Sequence, residues 1–530
     1  MSLSSKPEFG SFRSFFWPIH RFEVKKFLPL LLIYGLICLN YGILKAAKDS
    51  LVITAPGSGA EAIPFIKVWV ILPMALLVTY LFTRLFNRFS QEKVFYIMIT
   101  SFLAFFLVFT FILYPARDLI HPNNAADKLQ LMLPQGFKGL ISIFRNWSYA
   151  LFYVMSELWG TAIMAVLFWS FTNEITTVKE AKRFYGILSV GANVASMCSG
   201  QITILLSTQV FDLAFLFGSD RWGQSLSLVT SIVTLAGILT MGLFRWYHRS
   251  VVNKDPSLLK AQTHHAEQKK TIKMGMRKNF AYLSKSKYLI CIAILVIGFN
   301  IAINMVEIVW KDQIKALYPD PNEFNAYMGK VLFAIGCLST FIGLFLCSNL
   351  IRRFGWTFSA LITPVALLIT GVFFFAVIFY KENPLLIKWT AILGMTPLAL
   401  GVFFGTVQNV LSRACKFTVF DATKEIAFIP LNPESKIKGK AAIDGVGSRI
   451  GKSGGSIVHG GLLMVFGSVS LSAPFVGLIL LGVAAVWIGA AKSLGQLFSK
   501  LTTDNKLLEV KEDADLQKLD IPTKEQKTFI

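Results

Sequence analysis

Two glutamates sit where a carboxylate is expensive. Glu157 lies in Tyr153-Val154-Met155-Ser156-Glu157-Leu158-Trp159-Gly160, and Glu307 in Asn300-Ile301-Ala302-Ile303-Asn304-Met305-Val306-Glu307, both within long apolar runs. An anion in such a run needs a Lys or Arg partner, a proton or a water-filled path, and it usually marks a solute or proton route. The plainer reading is a structural ion pair. Asn300 and Asn304 are one turn apart and share a face with Glu307, so that face should line a cavity rather than lipid. Among the cations, Lys67 and Arg145 are set back within apolar runs, which favours a cavity role. Lys45 and Lys48 follow the first run and Lys311 follows the seventh, where snorkelling to the interface is the plainer reading. A polyphosphate would need several such cations, because burying its charge unpaired is prohibitive.

The segment Lys438 to Gly455 holds Gly445, Gly447 and Gly451-Lys452-Ser453. A P-loop requires Gly, four residues, then Gly-Lys-Ser. Position 446 is Val446, no strand precedes the segment, and it opens an apolar helix, so Walker A and ATP hydrolysis are rejected. A basic, Gly-rich helix start could still cradle phosphate with backbone N–H groups, helped by Lys438, Lys440, Arg449 and Lys452. The alternative is tight helix packing through small residues. There is no HExxH, no nucleophile elbow and no metal-ligand cluster. The six cysteines form no CxxC and read as small buried hydrophobes.

These residues belong to a membrane chain. Of its 530 residues 54% are hydrophobic and only 15% charged, with a mean hydropathy of +0.58, whereas a soluble domain carries about 25% charged residues. About twelve apolar runs are long enough to span a bilayer. They are Phe27–Leu44, Ile63–Phe86, Val94–Tyr114, Leu140–Phe171, Phe184–Ser207, Leu226–Trp246, Tyr288–Trp310, Tyr327–Leu350, Thr357–Tyr380, Ile387–Leu411, Gly447–Phe466 and Leu471–Ala491. The N-terminus shows no cleavable leader pattern.

The net charge of +22 is spread over alternate connections rather than gathered in one stripe, which argues against nucleic acid. Arg84, Arg88 and Lys93, then Lys179, Lys182 and Arg183, then Arg245–Lys287, Arg352 and Arg353, and Arg413–Lys440 fall in even-numbered connections. That pattern expects both termini in the cytoplasm. The long basic linker divides the chain, giving an all-α membrane protein of two six-helix bundles, major-facilitator-like. The expected parts are a cytoplasmic segment 1–26, a first bundle 27–246, a linker 247–287 facing anionic lipid, a second bundle 288–491 and a tail 492–530.

The chain resembles the nucleotide transporter family of obligate intracellular bacteria and plastids. The resemblance runs in order through Trp17-Pro18-Ile19, Lys48-Asp49, Ile63-Pro64-Phe65-Ile66-Lys67, Glu157-Leu158-Trp159-Gly160, Asn173-Glu174-Ile175-Thr176 and Glu180-Ala181-Lys182-Arg183-Phe184-Tyr185. It continues through Val306-Glu307, Trp310-Lys311, Tyr327-Met328-Gly329, Gln408-Asn409-Val410-Leu411-Ser412, Phe428-Ile429-Pro430-Leu431 and Lys438-Gly439-Lys440-Ala441-Ala442. It implies functional charges at Lys48, Glu157, Glu307 and either Lys438 or Lys440. It also implies a secondary transporter of the bacterial inner membrane, not an enzyme, needing no cofactor. The partners it implies are ATP, ADP, other nucleoside triphosphates and membrane lipids, with the chain acting as a monomer.

Members that exchange ATP for ADP usually carry Arg-Asp-Thr before the first Lys, where this chain has Lys45-Ala46-Ala47. The expectation is therefore a broader nucleotide set, moved by exchange or proton symport, with strict ATP/ADP exchange as the alternative. Outside this class stand a carrier of another organic phosphate and a nucleotide-binding receptor.

Overall fold

A computed structural model describes residues 17–209, 220–253, 286–431 and 433–519. In hydrocarbon every backbone N–H and C=O must be satisfied within the segment, which selects helices. Eleven helices are long and apolar enough to cross a membrane among the described residues. We label them α1 (Arg21–Ile53), α2 (Ala62–Arg88), α3 (Gln91–Leu113), α4 (Trp147–Ile175), α5 (Val178–Thr208), α6 (Arg221–Val252), α7 (Lys287–Leu317), α8 (Pro321–Leu346), α9 (Asn349–Phe379) and α10 (Pro397–Ala427), with α12 at Val469–Thr503. Between the last two lies α11 (Ser448–Phe466), a helix of 19 residues. Its Gly, Ser and Lys content leaves it outside the eleven, so the expected span Gly447–Phe466 is a helix of lower hydropathy. Trp69, Leu76, Ile112, Val465 and Leu478 stay exposed, an apolar surface suited to lipid.

Several boundaries differ from the sequence expectation. α1 and α7 do not stop at their first charges: they run on through Lys45, Lys48 and Asp49, and through Lys311 and Lys315. Apolar flanks on both sides of the charges, such as Leu51-Val52-Ile53, keep the helix going. The expected span Leu140–Phe171 is broken at Asn146, whose φ of −106° and ψ of 45° separate the short helix Lys138–Arg145 from Trp147–Leu158. Arg145 is therefore outside α4. The expected span Ile387–Leu411 is split by a turn at Gly394 (φ +67°), and α10 starts only at Pro397. It then continues through Arg413 to Ala427, so the start of the expected Arg413–Lys440 connection is helix. Cys198 is exposed, unlike the expected buried cysteine. Residues 254–285 of the basic linker lie outside the described residues.

α1 packs against α4, α5 and α6, and α7 against α10, α11 and α12. The two sets meet mainly where α5 lies along α8, with α2 against α11. Glycine sets that crossing: a Cβ on Gly200 would come within 2.6 Å of the Gly329 carbonyl oxygen, and one on Gly329 within 2.9 Å of the Gly200 carbonyl oxygen. Small residues let the backbones touch. Hereafter the distal end is the end where α1 and α7 finish.

Candidate functional site

The site is built from residue pairs one helical turn apart, the spacing that aligns side chains on one face. α4 offers Tyr153 and Glu157, α7 offers Glu307 and Lys311, and α10 offers Asn409 and Arg413. Lys48 and Asp49 are adjacent on α1, so they point about 100° apart. Lys48 turns to α4: its Nζ is 2.9 Å from Glu157 Oε1 and 3.7 Å from the Tyr153 ring centre. Asp49 turns to α7, where its Oδ2 is 2.8 Å from Lys311 Nζ. Lys48 and Asp49 are themselves 3.0 Å apart. Lys311 also reaches Glu307 at 2.9 Å, and Glu307 Oε1 is 2.9 Å from Arg413 Nη2. Arg413 Nε donates to Asn409 Oδ1 at 2.8 Å.

The result is one chain of alternating charge, Glu157–Lys48–Asp49–Lys311–Glu307–Arg413, crossing from the first half of the sequence to the second. Lys48, Asp49 and Lys311 are almost fully buried. The ends are more open: the side chain of Glu157 is 27% exposed and that of Arg413 16%.

Further cations stand around the chain. Lys67 sits in a π-helical turn, Ile66–Ile71, and donates to Asn304 Oδ1 at 2.6 Å. Lys45 lies within Coulombic reach of Glu157, Glu307 and Arg413, and Lys452 within reach of Glu157 and Arg413. Three carboxylates thus face six cations, an excess suited to an anion with several charges. Asn304 Nδ2 is taken by the Asn300 carbonyl at 2.7 Å, leaving its oxygen to Lys67.

The glycine-rich segment is not a helix start. Ala441–Gly447 is a π-helical stretch that runs directly into α11, so its N–H groups lie within continuous helix. This corrects the expected backbone phosphate cradle. Packing explains the glycines: a Cβ on Gly451 would come within 2.8 Å of Asn300 Cβ, and one on Gly455 within 3.3 Å of Ile301. Their absence of side chains seats α11 against the Asn300 and Asn304 face of α7. Lys452 and Arg449 are exposed.

Two expected residues are placed away from the chain. Arg145 bonds Asp127 Oδ1 at 2.5 Å and Gln130 Oε1 at 3.3 Å, in the connection between α3 and α4. Lys440 pairs with Glu425 in the last turn of α10. The side chain of Lys438 lies outside the described residues. Asp49, Arg413 and Tyr153 were not singled out from the sequence. The signals existed: Asp49 precedes a return to apolar residues, and Asn409 stands one turn before Arg413. Among the described residues no group of three or more His, Cys, Asp or Glu could hold a metal ion.

A family model described as TLC ATP/ADP transporter matches residues 2–498. The chain belongs to the TLC ATP/ADP transporter family. It is 44% identical over 502 residues to ADP,ATP carrier protein 1 of Chlamydia muridarum, covering 94% of this chain and 93% of that one. It is 42% identical over 504 residues to the chloroplastic ADP,ATP carrier protein 2 of Arabidopsis thaliana, covering 95% and 79%. A crystal structure of a bacterial homologue of the iron transporter ferroportin, in an inward-facing state, aligns with 91% of this chain and 99% of that one. At a TM-score of 0.48 and 13% identity, that likeness carries no argument. Within the family frame this chain is a multi-pass membrane carrier rather than an enzyme.

Proposed function

We propose that this protein moves ATP, ADP and other nucleoside triphosphates across a bacterial inner membrane, by alternating access of two six-helix bundles, 27–246 and 288–491. The observation that carries the reading is the six-membered charge chain joining both halves, with Lys45, Lys67 and Lys452 in surplus beside it. Each charge of the six-membered chain has an opposite charge within 3.0 Å. A polyphosphate entering the cavity replaces Glu157 and Glu307 as counter-ion to Lys48, Lys311 and Arg413, so its own charge is never left unpaired. Lys67, Lys452 and Arg449 hold the rest of the phosphates, while Asn300 and Asn304 orient Lys67. Lys438 or Lys440 serves the approach. Arg145 acts through the connection it ties to Asp127.

The major-facilitator plan is supported by the packing of α1 with α4, α5 and α6, of α7 with α10, α11 and α12, and by the α5–α8 and α2–α11 seams. α11 then counts as the twelfth span. The basic residues of the even connections favour cytoplasmic termini.

The test is uptake of labelled ATP into proteoliposomes loaded with ADP, with other nucleotides or with none, with and without a pH gradient. Uptake that requires internal nucleotide supports exchange. Gradient-driven uptake into empty vesicles supports proton symport. No nucleotide flux under any condition overturns the reading.

A further inference from the structure

The bonds that join the two halves are not spread evenly along the helices. Asp49–Lys311, at 2.8 Å, links α1 to α7 a few residues before both helices end distally. Beyond it Lys315 Nζ donates to the Ser58 carbonyl. Ser50 Oγ donates to the Pro321 carbonyl at 2.6 Å, and Asn325 Nδ2 to Ser207 Oγ at 2.8 Å. Gly136, in the α3–α4 connection, lies against the Met464 backbone near the distal end of α11: a Cβ there would be 2.6 Å from Met464 Cα. All five contacts cross between halves. At the proximal end, the ion pairs Lys26–Glu180, Glu23–Arg183, Lys424–Asp444 and Lys440–Glu425 each join residues of one half.

We infer that Asp49 is the latch of the distal gate, and that the substrate opens the gate by taking Lys311 away from it. The inference rests on the nucleotide reading above. Asp49 is 0% exposed. Separating the two leaves each buried charge with one opposite charge in place of two, Asp49 with Lys48 at 3.0 Å and Lys311 with Glu307 at 2.9 Å, in a medium that solvates them poorly. A phosphate beside Lys311 supplies a second anion in place of Asp49, while Lys48 stays with Asp49 as the halves part. The empty carrier has no such route. Its reorientation is therefore slow, and transport becomes an exchange. Lys315 and Ser50 act behind the latch as positioning residues: they seat the distal ends but do not meet the substrate.

The experiment loads proteoliposomes with labelled ATP and follows efflux into medium with and without ADP. In the wild-type protein efflux depends on external ADP. In Asp49→Asn the ratio of ADP-free to ADP-stimulated efflux rises about tenfold, while Asp49→Glu retains the wild-type ratio. Lys315→Met raises the same ratio by a smaller factor. If Asp49→Asn does not fold, the Lys315→Met ratio decides: a rise supports the latch and an unchanged ratio overturns it. A folded Asp49→Asn whose efflux stays as ADP-dependent as wild type, or which moves nucleotide in neither medium, overturns the latch alone. A wild-type protein that moves no nucleotide overturns the reading beneath it, and the latch with it.

Discussion

The centre of the molecule and its proximal end both contain buried or half-buried ion pairs, but they use them differently. At the centre, acids and bases alternate across the boundary between the two halves, and each charge has more than one partner or a neighbour ready to replace it. At the proximal end, Lys26 holds Glu180 at 2.8 Å, and Thr177 closes a capping box with Glu180 at the start of α5. That pair stays within one half. It fixes a helix start. The difference teaches that ion pairing alone does not mark a transport site. What marks it is a chain in which an incoming anion can substitute for a carboxylate without stranding a charge.

The comparison breaks most visibly at Lys48. Lys48→Met leaves Asp49 and Glu157 short of a counter-ion and removes a phosphate contact. Such a contact is worth about 1.5–3 kcal/mol, so ATP affinity falls roughly ten- to a hundredfold, read by equilibrium binding to the purified protein. Gly200→Ala comes next. Its Cβ has no room at the Gly329 and Phe333 backbones, and overpacking of this kind costs about 1–3 kcal/mol. The expected result is a lower melting temperature with slower transport and unchanged ATP affinity, which separates the α5–α8 seam from the site.

Arg145→Gln should matter less. It loosens the α3–α4 connection at Asp127, and ATP affinity should change by less than about threefold, since the residue stands apart from the charge chain. A larger loss would move Arg145 into the site.

The smallest effect is at Glu180. Burial pushes its carboxyl up, but the hydrogen bonds from Lys26 and Thr177 outweigh that and hold it below the usual range. The pair's stabilisation is then complete above about pH 4.5 and is lost as pH falls through the lowered folded value. For a half-buried pair it is under about 1 kcal/mol. Glu180→Gln should therefore melt slightly below wild type at pH 7, with the difference closing towards pH 3. A gap that persists at low pH would mean the glutamate acts through packing.

Much of this was legible in the sequence, for identifiable reasons. Glu157 and Glu307 stand out because a carboxylate in an apolar run has few physical excuses. The limits of α2 and α3 follow from clean apolar runs. What the sequence concealed was where helices end. Counting apolar residues stops at the first charge, so Lys48 and Lys311 looked like interfacial residues and Asp49 like part of a loop. Arg413 was hidden the same way, behind the expected end of the tenth span. Arg145 misled in the opposite sense, because the break at Asn146 has no Pro or Gly to announce it. The glycines of α11 suggested a phosphate loop, while their partners, the α7 backbone and Asn300, are distant in sequence. The pairing of Asp49 with Lys311 depends on which helices adjoin, and no local pattern reports that.

The most direct test of the central claim is ATP binding by Glu307→Gln at pH 7, measured calorimetrically beside its transport rate. If Glu307 competes with phosphate for Lys311 and Arg413, removing its charge tightens ATP binding while slowing transport, because the empty site loses its resting counter-ion. Weaker ATP binding in that variant would contradict the account and place Glu307 among the groups that hold the substrate.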